Sequence, residues 1–192
     1  MIKSLRLATA LLAFIFVGTA SATTVSEFSQ FSTQVVLFSG LSTSDLVFHQ
    51  GDVVSYNMTI GSFIQGTMET TVKSVSKEAV VLIQKIEAMG QVQNCEETLN
   101  PITGVVTNTV CNGQQQNPGD PTGDVIESRQ ESVTVPAGTF DTIYTKIRNK
   151  KTHAENEQWT NQKLIPILGV VKMTATTQFG PMVVELTSFK KN

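Results

Sequence analysis

The chain has few of the residues that catalytic chemistry uses. Its 192 residues hold two cysteines and two histidines, with no Cys-x-x-Cys, no His-Glu-x-x-His and no Gly-x-Ser-x-Gly. Those absences remove a thioredoxin-like redox pair, a zincin metal site and a hydrolase nucleophile elbow. Charge is sparse as well, with 14 basic and 16 acidic residues for a formal net charge of −2. The only basic runs are Lys150-Lys151 and Lys190-Lys191, too little to neutralise a phosphate backbone, so nucleic acid is not an expected partner. No apolar run reaches the roughly 20 residues of a membrane-spanning helix.

The most continuous apolar stretch stands at the start. Lys3 and Arg6 precede the apolar run Leu7 to Val17, and Ala20-Ser21-Ala22 forms a small-x-small site, the pattern of a cleaved export signal. Cleavage after Ala22 leaves 192 − 22 = 170 residues and a formal charge of (14 − 2) − 16 = −4. No cysteine at the junction offers a lipid attachment point. The expected product, residues 23–192, is one domain without a transmembrane anchor, periplasmic or secreted.

In such a compartment two cysteines suggest a disulfide. Cys95 and Cys111 flank EETLNPITGVVTNTV, whose Asn100-Pro101 and Gly104 are turn formers between two strand-like runs. A hairpin centred on Thr103 pairs residues that sum to 206, and 95 + 111 = 206. The thiols then face each other at a spacing a disulfide accepts.

Elsewhere the period is two. Val54, Tyr56, Met58 and Ile60 alternate with Val53, Ser55, Asn57 and Thr59, and Gly61-Ser62 turns into a second run through Ile64, Met68 and Val72. Ala79 to Met89 is more continuously apolar and reads as a strand covered on both faces. Asn112 to Gly123 has no apolar residue and reads as a mobile surface loop. Strand patterns resume at Val125 to Val135, Phe140 to Arg148, Glu155 to Gln162, Leu168 to Thr177 and Met182 to Phe189. The fold expected is mainly β: a curved antiparallel sheet or half-open barrel of about ten strands. A short N-terminal helix fits Val25 to Phe38, where Phe28, Phe31, Val35 and Phe38 recur at three or four.

The second half carries Val135-Pro-Ala-Gly-Thr-Phe-Asp141, Glu157-Gln-Trp159-Thr160, Ile165-Pro-Ile-Leu-Gly169-Val-Val-Lys172 and Val184-Glu-Leu-Thr-Ser-Phe189. These motifs resemble an uncharacterised family of bacterial periplasmic proteins, a domain of unknown function. More distantly they resemble the half-barrel of the lipoprotein carriers LolA and LolB. The resemblance implies a curved sheet with a concave apolar face and a helix or loop as its lid. It brings no catalytic residues. Architecture also explains the motifs: Pro136 and Gly138 suit a turn, Trp159 a core anchor and Gly169 a bulge.

Few residues suggest a site. His49 stands beside Gln50-Gly51-Asp52 in a turn. His153, Glu155 and Glu157 share one face of a strand by alternation and are remote candidates for a cation, although no second cluster completes a coordination shell. Asp120 and Asp124 fit no EF-hand spacing. Methionine and aromatic residues offer more: Tyr56, Met58, Met68, Trp159 and Met173 are the candidates to line an adaptable apolar cavity. The chain therefore reads as an exported, non-catalytic envelope protein without a cofactor, holding a lipid or other hydrophobic small molecule on the concave face. With a filled concavity it is instead a structural module that binds an envelope protein. A metal-dependent enzyme on the His153 face is the remote third reading.

Overall fold

The structure, a computed structural model, describes residues 46–116, 123–177 and 179–192. The export segment, the helix expected over Val25 to Phe38 and Asp120 lie outside the described residues. The described chain forms strands β1 (Val53–Ile60), β2 (Ile64–Val75), β3 (Val80–Ala88), β4 (Gln91–Leu99), β5 (Val106–Cys111), β6 (Gln114–Gln116), β7 (Gly123–Val135), β8 (Gly138–Asn149), β9 (Glu155–Thr160), β10 (Val170–Thr177) and β11 (Gly180–Lys190). They make one antiparallel sheet in the order β6-β5-β4-β3-β2-β1-β11-β10-β9-β8-β7. Among the described residues there is no helix.

The order follows from local turns. Every consecutive pair except β6 and β7 is a hairpin partner, and the single non-local pairing joins β1 to β11. The cysteine hairpin has the anticipated register: Cys95 opposes Cys111, Glu96 opposes Val110, and the sum of 206 persists to Thr98 and Asn108. Asn100 sets its turn, its side-chain oxygen accepting from the backbone N–H groups of Ile102 at 2.9 Å and Thr103 at 3.0 Å. The Cys95 and Cys111 sulfurs are joined, with their Cα atoms 4.1 Å apart.

Curvature comes from register shifts. Bulges interrupt β1/β11, β2/β3, β4/β5, β9/β10 and β7/β8, and each bends its strand and increases the twist. Alternation then sorts the side chains. Val54, Tyr56, Met58 and Ile60 share the inner face with Leu82 and Ile86, Met173 and Ala175, and Met182, Val184 and Leu186, all buried. Two pieces of chain close over this face. The β7–β8 tip returns to β11, where Ala137 N–H donates to Leu186 O at 3.0 Å and Phe140 meets Phe189 edge-on at 6.3 Å. The connection 161–169 folds inward and buries Ile165 and Ile167 in the core.

Two expectations change. β3 is not covered on both faces: Val80, Leu82, Gln84 and Ile86 are buried, but Lys85 and Glu87 are exposed and Val81 and Ile83 only half-buried. Its apolar run reflects a β-branched surface at one end of the outer face. The polar segment after Cys111 is not all loop, because Gln114–Gln116 pairs with β5 as an edge strand. Such pairing uses the main chain and asks nothing of the side chains, so hydropathy is blind to it. Asp52, fully buried, anchors the ends: its carboxylate accepts from His49 N–H at 3.0 Å and Asn192 N–H at 2.8 Å.

Candidate functional site

Four of the five cavity candidates converge. Tyr56 and Met58 from β1, Met68 from β2 and Met173 from β10 line one cavity on the inner face, together with Leu82, Met182 and Val184. Sequence periodicity brings them to one face of each strand, and the β1–β11 pairing makes the strands neighbours. The connection 161–169 contributes Ile167 and Leu168 to its lining. Its free volume is about 40 Å³, small against the roughly 300 Å³ or more of a site for a drug-sized ligand.

The closing loop is under strain. Ile167 holds φ at +67°, a left-handed conformation that a β-branched residue adopts only when its surroundings impose it. Asn161 N–H donates to Gly169 O at 2.7 Å and Ile165 N–H donates to Asn161 O at 2.9 Å, which cinches the loop at its base. Gly169, at φ +72°, leaves no space for a Cβ, which would lie 2.8 Å from the backbone of Gln162. Beyond the loop, the Tyr56 hydroxyl donates to Val170 O at 3.1 Å, and burial raises the pKa of this phenol.

The cavity also holds polar groups that hydropathy missed. Thr70, Gln84 and Glu97 line it, each nearly inaccessible to solvent. A polar residue at an inward position of an alternating strand is the signal that could have found them, and Thr70, Gln84 and Glu97 all occupy such positions.

Trp159, the fifth candidate, lies elsewhere. Gln158 faces Met173 and the inner side, so Trp159 projects from the opposite face. There its ring meets Tyr144 at 5.1 Å, with the Arg129 guanidinium 3.7 Å from the Tyr144 ring centroid. The indole N–H donates to Glu131 Oε1 at 3.2 Å. That bond, followed by Arg129, holds the Glu131 carboxyl below its ordinary pKa. A lowered carboxylate pKa contributes stability that is present above the ordinary carboxylate range and is lost as pH falls through the lowered value. Because Trp159 is the single tryptophan, its fluorescence should change with a midpoint below the usual carboxylate range. Glu131→Gln should abolish that step, and an unchanged transition in the variant would refute the assignment.

The remote metal candidates are not assembled. Glu155 pairs with Lys146 at 2.7 Å and Arg148 at 2.6 Å, and Glu157 accepts from the Tyr144 hydroxyl at 3.0 Å. His153 sits in the β8–β9 turn at φ +58° rather than on the strand, because β9 begins at Glu155. Among the described residues no group of three His, Cys, Asp or Glu side chains is placed to hold a metal. Asp124 is paired with Lys150 at 3.0 Å.

Comparisons with known proteins bear on the fold. No family model matches the chain, and no curated protein does. A solved structure of a hypothetical protein from Chlamydia trachomatis is similar with a TM-score of 0.50 and 11% identity, covering 77% of this chain and 91% of its own. A Bacteroides fragilis protein named as exported and of YmcC-like fold aligns with a TM-score of 0.43 and 12% identity, over 76% of this chain and 98% of its own. The likeness to the Chlamydia protein is one of fold alone.

Proposed function

We propose that this is an exported, non-catalytic binding protein that takes an apolar molecule onto the inner face of the sheet by displacing the 161–169 loop. The export signal, the disulfide and the apolar cavity support the reading. The observation that carries it is the wall: part of the cavity lining comes from a connection, with a strained Ile167 in it, rather than from a strand. A core under no other demand has no reason to hold a β-branched residue in a left-handed conformation while leaving buried polar atoms without partners among the described residues, and Gln84 Oε1 is one of those atoms.

Titration with NBD-dodecylamine, a fluorescent alkyl probe, tests this. Saturable binding is expected for the wild type. Ile167→Gly should bind about tenfold more tightly, because the ligand no longer expels a buried isoleucine side chain. Absence of saturable binding in both proteins would end the proposal. The small free volume favours the second reading in that case: a packed scaffold that binds an envelope protein through its outer surface, identifiable by crosslinking in intact cells.

A further inference from the structure

The cavity has a polar side and an apolar side, and the strand order sets which is which. Thr70, Gln84 and Glu97 come from β2, β3 and β4, whereas β1, β11 and β10 supply Met58, Met182 and Met173. Gln84 is 1% exposed. Its Nε2 donates to Thr70 Oγ1 at 3.4 Å, and its Oε1 has no partner among the described residues. A buried acceptor left unpaired is costly, and a donor delivered to it recovers that cost.

We infer that this polar side selects the ligand: the site takes a neutral single-chain amphiphile whose head carries a hydroxyl or amide N–H, donated to Gln84 Oε1. The inference rests on the binding reading above. The chain of such a molecule lies along Met58, Met173 and Met182, whose flexible thioethers adapt to differing lengths. A carboxylate head is rejected because it offers no donor to Gln84 Oε1. An alkane or ether end leaves Gln84 Oε1 unpaired and is discriminated against by the same amount a missing hydrogen bond costs.

Competition against bound NBD-dodecylamine reads this selectivity. Dodecanol should displace the probe at about tenfold lower concentration than dodecyl methyl ether, which has the same chain without the donor, and ionised dodecanoate should do no better than the ether. In Gln84→Leu the ratio of alcohol to ether should fall to about one, with the fold checked by circular dichroism. Gln84→Met, close in volume, serves if the leucine variant does not fold. A ratio near one in the wild type, a preference for dodecanoate, or a preference that survives removal of the amide would overturn the inference. If the probe binds and only the ratio fails, head-group selection falls and the site stands. If neither the wild type nor Ile167→Gly binds the probe, the site falls and this inference with it.

Discussion

Leu82→Ala is expected to lower the unfolding free energy by about 3 kcal/mol, within the range for deleting a buried leucine. Leu82 is 1% exposed on β3, across from Val72 on β2 and Glu97 on β4. It also lines the small inner cavity. The truncation therefore adds its lost side-chain volume to space that already exists, and the surrounding sheet, fixed by ladders on both sides, cannot collapse to fill it. Two measurements follow from this one variant. The urea midpoint should fall with an unchanged slope, and the alkyl probe should bind more tightly than to the wild type. A loss below about 1 kcal/mol would mean that the inner face is not packed as described.

Breaking the Cys95–Cys111 bond should cost a similar amount. The bond closes a loop with a sequence separation of 16, for which the chain-entropy account gives about 3 kcal/mol. The double variant Cys95→Ser/Cys111→Ser, compared with the oxidised wild type by urea unfolding, is the cleaner measurement because it avoids thiol chemistry. The effect should also be local in origin. Gln84 opposes Cys95 across β3 and β4, so loosening this hairpin loosens the polar side of the cavity. If the double variant matches the oxidised wild type in stability, the crosslink contributes nothing and the hairpin is held by its turn and ladder alone.

Much of the architecture was legible because antiparallel hairpins are local. The alternation of Val54, Tyr56, Met58 and Ile60 fixes which face of β1 is buried, and a one-residue slip would expose all four. The cysteine register followed from a turn centre and a sum. β6 was not legible, since Gln114–Gln116 pairs through its backbone, and neither was the half-exposed outer face of β3. Trp159 was misplaced for a related reason. A buried aromatic was read as an inner residue, but its ring is met on the outer face by Tyr144, Glu131 and Lys172, polar partners that hydropathy cannot assign to a side.

By itself the sequence determined the strand class, the apolar face of β1 and the pairing of Cys95 with Cys111, because each depends on residues within a hairpin of one another. Tertiary structure alone decided that β1 closes against β11, that Tyr56, Met58, Met68 and Met173 meet, and that Ile167 comes down to cover them. It also placed Gln84 in that space with its amide oxygen unpaired among the described residues. Those features depend on how far each bulge bends the sheet and where a connecting loop comes to rest, and both are set by packing between segments more than a hundred residues apart in the chain, such as Tyr56 and Val170. Local pattern carries no term for that distance.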